Sequence, residues 1–210
     1  MGRIDLSKLS GFSGKIGPII AYVTKDGKQV FRTYTKPRDP KTPRQLANRA
    51  RLVLATKALS PLLMAIKRGH PGIHNAYRKL VGKACREAVV GEYPGLSVDY
   101  SKIQLAAGPL QLPRDVHVTF DSHSRVAAFA WDTRLEPTSR HGSDADKVNI
   151  VCFDTANPSG AHTLTRGTRA AGKATVELPA GWQPATTHSW FYLSSPDLRY
   201  NSNSVYLKPG

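Results

Sequence analysis

One run of apolar residues, Val126-Ala-Ala-Phe-Ala-Trp131, mixes small side chains with two large rings and ends on a tryptophan. A second run, Trp190-Phe-Tyr-Leu193, is aromatic and holds no turn-forming residue. Short runs of this kind between turn signals are typical of strands, and beyond residue 101 no segment with a helical period interrupts them. Both runs are therefore predicted to be core strands of an all-β region.

Eight segments of the second half have this character, and we predict each to be a strand: residues 102–106, 116–120, 125–131, 147–153, 162–165, 173–178, 188–194 and 204–207. Seven or eight strands in about 110 residues are expected of an immunoglobulin-like sandwich. The region resembles a fibronectin type III module in three places: Trp131 at a strand end, the Thr175-Val-Glu-Leu-Pro179 run and the closing Ser204-Val-Tyr-Leu207. Cys85 and Cys152 are not placed to bridge two sheets, which disfavours an antibody-type domain.

The first half predicts a β-hairpin followed by helices. Asp26-Gly27 separates two β-prone runs, and a two-residue type I′ turn there would place Val23 opposite Val30 and Tyr22 opposite Phe31. After a basic connector with two prolines, the Thr42-Pro43-Arg44-Gln45 sequence fits a capping box. The fold class is therefore an α+β N-terminal module, a hairpin plus about three helices, followed by an all-β sandwich.

Three helices are expected in this module. The first runs from the capping box to Leu59, with a core stripe made of Leu46, Ala50, Val53 and Leu54. The second begins at Pro61 and ends in Lys67-Arg68-Gly69, and the third follows His70-Pro71-Gly72. With the turn chemistry of Pro94-Gly95, this organisation predicts domains at residues 1–98 and 99–210.

The charge is concentrated in the first half of the chain. The 210 residues carry a formal net charge of +15; residues 1–95 hold 19 basic and 5 acidic side chains, whereas residues 96–210 hold 11 and 10. A surface this basic repels copies of itself unless an anion lies against it. Nucleic acid, either DNA or RNA, is the expected partner. Another polyanion, an anionic membrane face or an acidic protein is the alternative.

Ten basic residues form the predicted nucleic-acid site: Lys36, Arg38, Lys41, Arg44, Arg49, Arg51, Lys57, Lys79, Lys83 and Arg86. The competing interpretation is that they are solvated helix faces, which the shortage of acidic partners disfavours. No zinc-finger, homeodomain or RNA-recognition signature is present, so binding with little sequence specificity is expected. Tyr22, Phe31 and Tyr34 either stack on bases or belong to the core of the hairpin.

Other classes of protein are disfavoured. The longest apolar stretch, residues 62–66, is far below the roughly 20 residues of a membrane span. The N-terminus lacks the apolar core of a signal peptide, so a cytoplasmic protein is expected. Neither a nucleophile elbow nor a cluster with metal-ligand spacing occurs, and we expect no enzyme, no cofactor and no metal.

Several segments together resemble an uncharacterised bacterial family known as a domain of unknown function. They are Gly14-Lys-Ile-Gly-Pro-Ile-Ile-Ala-Tyr22, Gly27-Lys-Gln-Val-Phe-Arg32, the stretch 39–51, Tyr100-Ser-Lys102 and Asn203-Ser-Val-Tyr-Leu207. This resemblance implies a two-part layout and no known activity. The Pro40-x-Thr-x-x-Gln-x-x-x-Arg49 arrangement is also similar to some phage structural proteins. The alternative function is therefore a structural subunit of a phage-like or surface assembly, with the sandwich making protein contacts or mediating self-assembly.

Overall fold

A computed structural model of the chain describes residues 12–121, 125–136 and 141–208. The chain divides into two compact units, Met1–Thr42 and Pro43–Gly210. This division differs from the domain boundary predicted at residues 98/99, because the helices share a hydrophobic core with strands of the second half.

The first unit holds a three-stranded antiparallel sheet, β1 (Gly14–Ile16), β2 (Ile19–Val23) and β3 (Gln29–Thr33), in the order β1-β2-β3. The predicted hairpin is confirmed, but its predicted register is wrong by one residue, since Val30 pairs with Tyr22 rather than with Val23. The backbone N–H of Thr24 donates to the carbonyl of Lys28 at 2.9 Å, and Gly27 adopts a φ of +75°. A three-residue loop with glycine in the left-handed region therefore replaces the two-residue turn.

The second unit begins with the predicted helices. They are α1 (Pro43–Leu59), a 3₁₀ turn (Ser60–Leu62), α2 (Leu63–Gly69) and α3 (Ala76–Glu87). The first helix starts and ends where the sequence predicts, because Pro43 is favourable at a first helical position and Pro61 cannot continue an α-helix without loss of a hydrogen bond.

Nine strands follow in the described part of this unit. They are β4 (Val89–Val90), β5 (Ser97–Val98), β6 (His117–Asp121), β7 (Val126–Ala130), β8 (Lys147–Asp154), β9 (His162–Thr168), β10 (Lys173–Glu177), β11 (Thr187–Ser194) and β12 (Val205–Leu207). Seven of them confirm predicted segments. The strand predicted at residues 102–106 is wrong: Tyr100–Lys102 is a 3₁₀ turn, and the Ser204 hydroxyl accepts from the backbone N–H groups of Leu105 and Ala106 in place of a strand partner.

Two antiparallel sheets form the β-sandwich. One has the strand order β10-β7-β6 and the other β12-β11-β8-β9, while β4 and β5 make a separate pair. The inner faces share a core that includes Phe129 and Trp131 from one sheet and Ile150 and Phe191 from the other. The runs 126–131 and 190–193 therefore both contribute side chains to this core.

The helices form a third layer on the outer face of the four-stranded sheet. Alternate residues of the two central strands point away from the sandwich core, and Val151, Phe153 and Trp190 join Leu59 and Leu80 of the helices in a second core. The indole N–H of Trp190 donates to the Ile103 carbonyl at 2.8 Å. Strands β8 and β11 are therefore covered on both faces.

The core stripe predicted for α1 is wrong in part. Val53 is 52% exposed, and the buried residues of this helix are Ala55, Ala58 and Leu59. The helix packs on the sheet through its C-terminal half. The side chains that face the sheet there include small ones, which count for less than valine when apolar periodicity is used to find the buried face.

Candidate nucleic-acid interface

Helices α1 and α3 lie beside each other in opposite directions. The guanidinium of Arg51 donates to the carbonyls of Val89 and Gly91, at 3.1 and 3.2 Å, just beyond the end of α3. Near the start of α3, the Tyr77 hydroxyl donates to the carbonyl of Thr56 at 3.4 Å. Both helices present apolar residues to the sheet, so their remaining side chains form the solvent side of the helical layer.

Cations dominate this solvent side. Residues 43–87 contain ten basic side chains and one acidic one, Glu87. Its carboxylate lies 3.9 Å from the ammonium of Lys83 in an exposed i,i+4 pair, which contributes little to stability. We call the basic side chains of residues 43–87 the helical basic face.

In the sandwich, by contrast, three arginines lie beside carboxylates. Arg125 pairs with Glu177 at 3.6 Å, Arg134 with Asp132 at 2.7 Å, and Arg114 with Glu136. A hydrogen bond from Arg134 holds the pKa of Asp132 below its ordinary value. The contrast between the two halves of the sequence is therefore also present in three dimensions, since carboxylates lie beside the arginines of the sandwich.

Seven of the ten predicted site residues belong to the second unit. Arg44, Arg49, Lys57, Lys79 and Arg86 are exposed, and Lys83 is half-buried. Arg51 is half-buried and holds α1 to the segment after α3, so its main contact is structural. Lys67, Arg68 and Arg78 also lie exposed on these helices, and the sequence prediction left them out. The acid-free stretch from residue 43 to residue 86 was the signal that would have included them.

The other three predicted site residues, Lys36, Arg38 and Lys41, lie in the first unit. They follow β3 in a segment that is neither helix nor strand, and all three are exposed. The backbone N–H of Lys41 donates to the carboxylate of Asp39 at 3.4 Å, and Lys41 has a φ of +49°. This segment adds cations of its own immediately before α1 in the sequence.

Two tyrosine rings of the first unit lie beside cations. The ammonium of Lys15 is 3.8 Å from the ring centre of Tyr34, and the guanidinium of Arg32 is 5.9 Å from that of Tyr22. Both tyrosines are exposed, whereas Phe31 is half-buried and pairs with Ala21. Exposed tyrosines next to cations suit stacking on nucleotide bases better than a place in a core.

No group of three or more His, Cys, Asp or Glu side chains is close enough to hold a metal ion in the residues that the structure describes. His70 is half-buried, and its Nδ1 lies 3.1 Å from the carbonyl of Ile66. Within the same described ranges, no helix combines the length and the apolar character needed to cross a bilayer.

Fold and surface together define the class: a β-sandwich covered on one face by a strongly basic helical layer, with a small separate sheet before it. The chain belongs to a family of unknown function, DUF6266, whose model matches residues 11–208. This confirms the resemblance to an uncharacterised family.

Among solved structures, the chain is similar to the fn3 domain of human contactin 1, determined in solution. The identity is 15%, the match covers 49% of this chain and 82% of that domain, and the TM-score is 0.29. A likeness of this size says nothing of function, and the sandwich described above rests on its own strand pairing. No curated protein matches the sequence.

Proposed function

We propose that this protein is a non-enzymatic binding protein that docks on nucleic acid through the helical basic face, with little dependence on sequence. One observation carries the proposal: ten cations and one carboxylate occupy residues 43–87, and the apolar sides of these helices are used against the sheet. Cations held on a rigid layer bind phosphates with less loss of conformational freedom than cations on a disordered tail.

The same electrostatics predict how binding responds to salt. Each phosphate that a lysine or arginine neutralises releases condensed counterions, so the affinity falls as the salt concentration rises. If about six phosphates are contacted, log affinity against log salt has a slope of roughly −5 on duplex DNA. Fluorescence anisotropy with a labelled 20-base-pair duplex and a 20-nucleotide RNA at several salt concentrations measures this slope. A slope near zero on both would refute the proposal.

A matched pair of triple variants locates the interface. Arg44→Gln, Lys57→Gln and Arg86→Gln together remove three exposed cations of the helical basic face. The control, Arg114→Gln, Arg125→Gln and Arg134→Gln, removes the same charge from the sandwich. We expect the first variant to reduce the salt slope by about 3 and to weaken binding to every sequence alike, with the control close to the unchanged protein. Equal losses in both would mean that net charge, and not this face, drives binding.

The alternative function is that of a structural subunit, and an observation on the first unit favours it. Its described sheet buries Ala21, while the apolar side chains of Ile16, Ile19, Tyr22 and Val23 are between 38% and 45% exposed. Such a sheet gains stability when another surface covers it, and a second copy is the simplest cover. Light scattering without nucleic acid distinguishes the two functions: a ring or filament supports assembly, and a monomer that changes size only with DNA or RNA supports binding.

The sandwich is assigned to the fibronectin type III and immunoglobulin-like class as part of the same proposal, and its role is protein contact. The three-plus-four strand arrangement supports this class.

A further inference from the structure

A cavity of about 410 Å³ lies between the end of α2 and the outer face of the four-stranded sheet. Its size is within the range of roughly 300–1,000 Å³ that small-molecule sites occupy. Lys67 and Arg68 line it from the helix, and polar residues of the sheet line it from below. None of the described residues around it is acidic.

The sheet wall is built from strand positions that point toward the helical layer. Asn149 is directly opposite Tyr192 on β11 and Thr165 on β9, so the three side chains share one face. The Asn149 amide donates to the Ser194 hydroxyl at 2.7 Å, and its oxygen accepts from the Thr165 hydroxyl at 2.9 Å. These bonds fix the wall before any ligand enters, which lowers the entropy that binding costs.

The Tyr192 hydroxyl is the unusual group in this wall. The side chain is fully buried, and its oxygen has no hydrogen-bond partner among the described residues. Leaving a buried hydroxyl without a partner is costly, which makes such a group a candidate for contact with a ligand. Burial raises the pKa of Tyr192 to about 12, so the hydroxyl keeps its proton and remains able to donate.

The hydrogen-bonding capacity that faces this cavity is mainly that of donors. Lys67 and Arg68 have no carboxylate partner among the described residues, the Tyr192 hydroxyl is unused, and the Ser194 hydroxyl accepts from Asn149 but retains its own proton. An excess of donors, two of them cationic, favours a ligand with several acceptor oxygens and negative charge. A phosphate group offers three terminal oxygens to these four donors, and arginine binds such a group through two parallel hydrogen bonds.

We propose that this cavity binds a small phosphorylated molecule, whose phosphate group contacts Lys67, Arg68 and the Tyr192 hydroxyl. The cavity is larger than a phosphate ion requires, and the remaining space beside Pro71 and Leu198 takes the organic part. Lys67 and Arg68 also belong to the helical basic face, so the two proposed sites share these cations, whereas the buried wall residues Tyr192 and Ser194 belong to the cavity alone.

The test is a titration of ¹⁵N-labelled protein with inorganic phosphate and with glycerol 3-phosphate, followed by amide chemical shifts at constant ionic strength. Shifts are expected at Asn149, Thr165 and Ser194, with glycerol 3-phosphate bound at least as tightly as phosphate. Acetate serves as the carboxylate control and should bind more weakly. Shifts confined to other residues, or acetate bound as tightly as phosphate, would overturn the proposal.

Two variants tie the affinity to the site. Tyr192→Phe removes one oxygen and keeps the ring, so the fold is retained and phosphate affinity should fall roughly five- to tenfold. Arg68→Gln should weaken phosphate binding by a larger factor, whereas Arg78→Gln, which removes an equal charge outside this cavity, should leave it unchanged. Unaltered phosphate affinity in Tyr192→Phe contradicts the assignment.

A DNA titration of the same variant separates the two proposals. Tyr192→Phe should bind the 20-base-pair duplex like the unchanged protein. If affinity for DNA and for phosphate falls together, the cavity serves the nucleic-acid backbone, and the small-molecule assignment is wrong. If phosphate binding is lost and DNA binding is retained, the cavity proposal is supported, and this result does not depend on whether the nucleic-acid interface is correct.

Discussion

Arg169 and Asp146 form an ion pair inside the β-sandwich. The guanidinium Nε lies 3.5 Å from a carboxylate oxygen of Asp146, and the exposed fractions of the two side chains are 0% and 1%. A second guanidinium nitrogen donates to the Gln111 carbonyl, and the backbone N–H of Ser143 donates to Asp146 at 2.9 Å. The carbonyl of Arg169 also accepts from the indole of Trp131, so the pair joins three parts of the sandwich.

Removing one partner of this ion pair should strongly lower the stability of the protein. Asp146→Asn removes the carboxylate that contacts the buried guanidinium, and a loss of about 3–5 kcal/mol in the free energy of unfolding is expected. Urea denaturation followed by tryptophan fluorescence measures it. Because the penalty is that of an uncompensated charge, the double variant Asp146→Asn with Arg169→Met should lose less than Asp146→Asn alone. A double variant that is less stable than the single one would contradict this, because it would show that Arg169 stabilises the fold even without Asp146.

Two helical glycines should respond to alanine in opposite directions. A Cβ at Gly69 would lie 2.1 Å from the Leu105 carbonyl oxygen, a backbone atom, so Gly69→Ala should destabilise the protein by about 1–3 kcal/mol. At Gly82, the nearest atom is the end of the Arg86 side chain at 3.8 Å, and Gly82→Ala should stabilise α3 by up to about 1 kcal/mol. Thermal unfolding of both variants checks the pair, and a stabilising Gly69→Ala would mean that the helix end and the Leu105 segment are not in contact.

His188 should make stability depend on pH. Burial and the nearby Lys208 lower the pKa of this side chain, although Asp154 and Asp99 act in the opposite direction. The ring Nδ1 lies 2.6 Å from the Tyr206 hydroxyl, within hydrogen-bond distance. Since the unfolded chain binds the proton more readily, the stabilisation is complete above the unfolded value of about 6.5 and declines as the pH falls from there to the folded pKa.

The comparison that isolates this effect is His188→Phe. Its unfolding free energy should change less than that of the unchanged protein between pH 7 and pH 5, as measured by urea denaturation at each pH. Parallel curves for the two proteins in this window would assign the pH dependence to other groups.

The two cysteines should differ in reactivity. Cys152 is fully buried, and burial raises the pKa of its thiol to about 11, so almost no reactive thiolate is present near neutral pH. Cys85 is half-buried on α3. A thiol-reactive dye at pH 8 should modify one thiol per chain in the folded protein and two in denaturant, and Cys85→Ser should abolish the native-state reaction.

The sequence predicts well where the helices and strands of this fold lie. It predicts less well which residues pair across strands and which elements pack together. Pro43 and Pro61 set the limits of α1 because proline acts on the backbone nearest to it. The hairpin register depends on one extra loop residue, Lys25, which the Asp26-Gly27 signal does not specify. Ile103, Leu105 and Ala106 are apolar and buried as in a strand, but the backbone N–H groups of Leu105 and Ala106 donate to a serine hydroxyl from the far end of the chain.

The third layer is also reflected in the sequence of the strands that it covers. Strands β8 and β11 are buried at almost every position, and each contains a continuous apolar run, residues 150–153 and 190–193, a pattern typical of sheets covered on both faces. Asn149 and Ser194 interrupt this pattern at positions that point to the helices, and they line the proposed phosphate cavity. The positive charge of residues 43–87 was predictable because charge adds along the sequence, whereas the structural contact of Arg51 depends on how α1 and α3 pack.

The double coverage of β11 has a consequence for how the second unit unfolds. Trp190 and Phe191 are neighbours in the chain, yet they belong to different hydrophobic cores. Shortening either side chain directly weakens the packing of only the core to which that side chain belongs. Because both layers depend on the same hydrogen-bonded strand, unfolding of one should unfold the other in a single cooperative transition. Helix content and the tryptophan fluorescence of the sandwich should therefore be lost together.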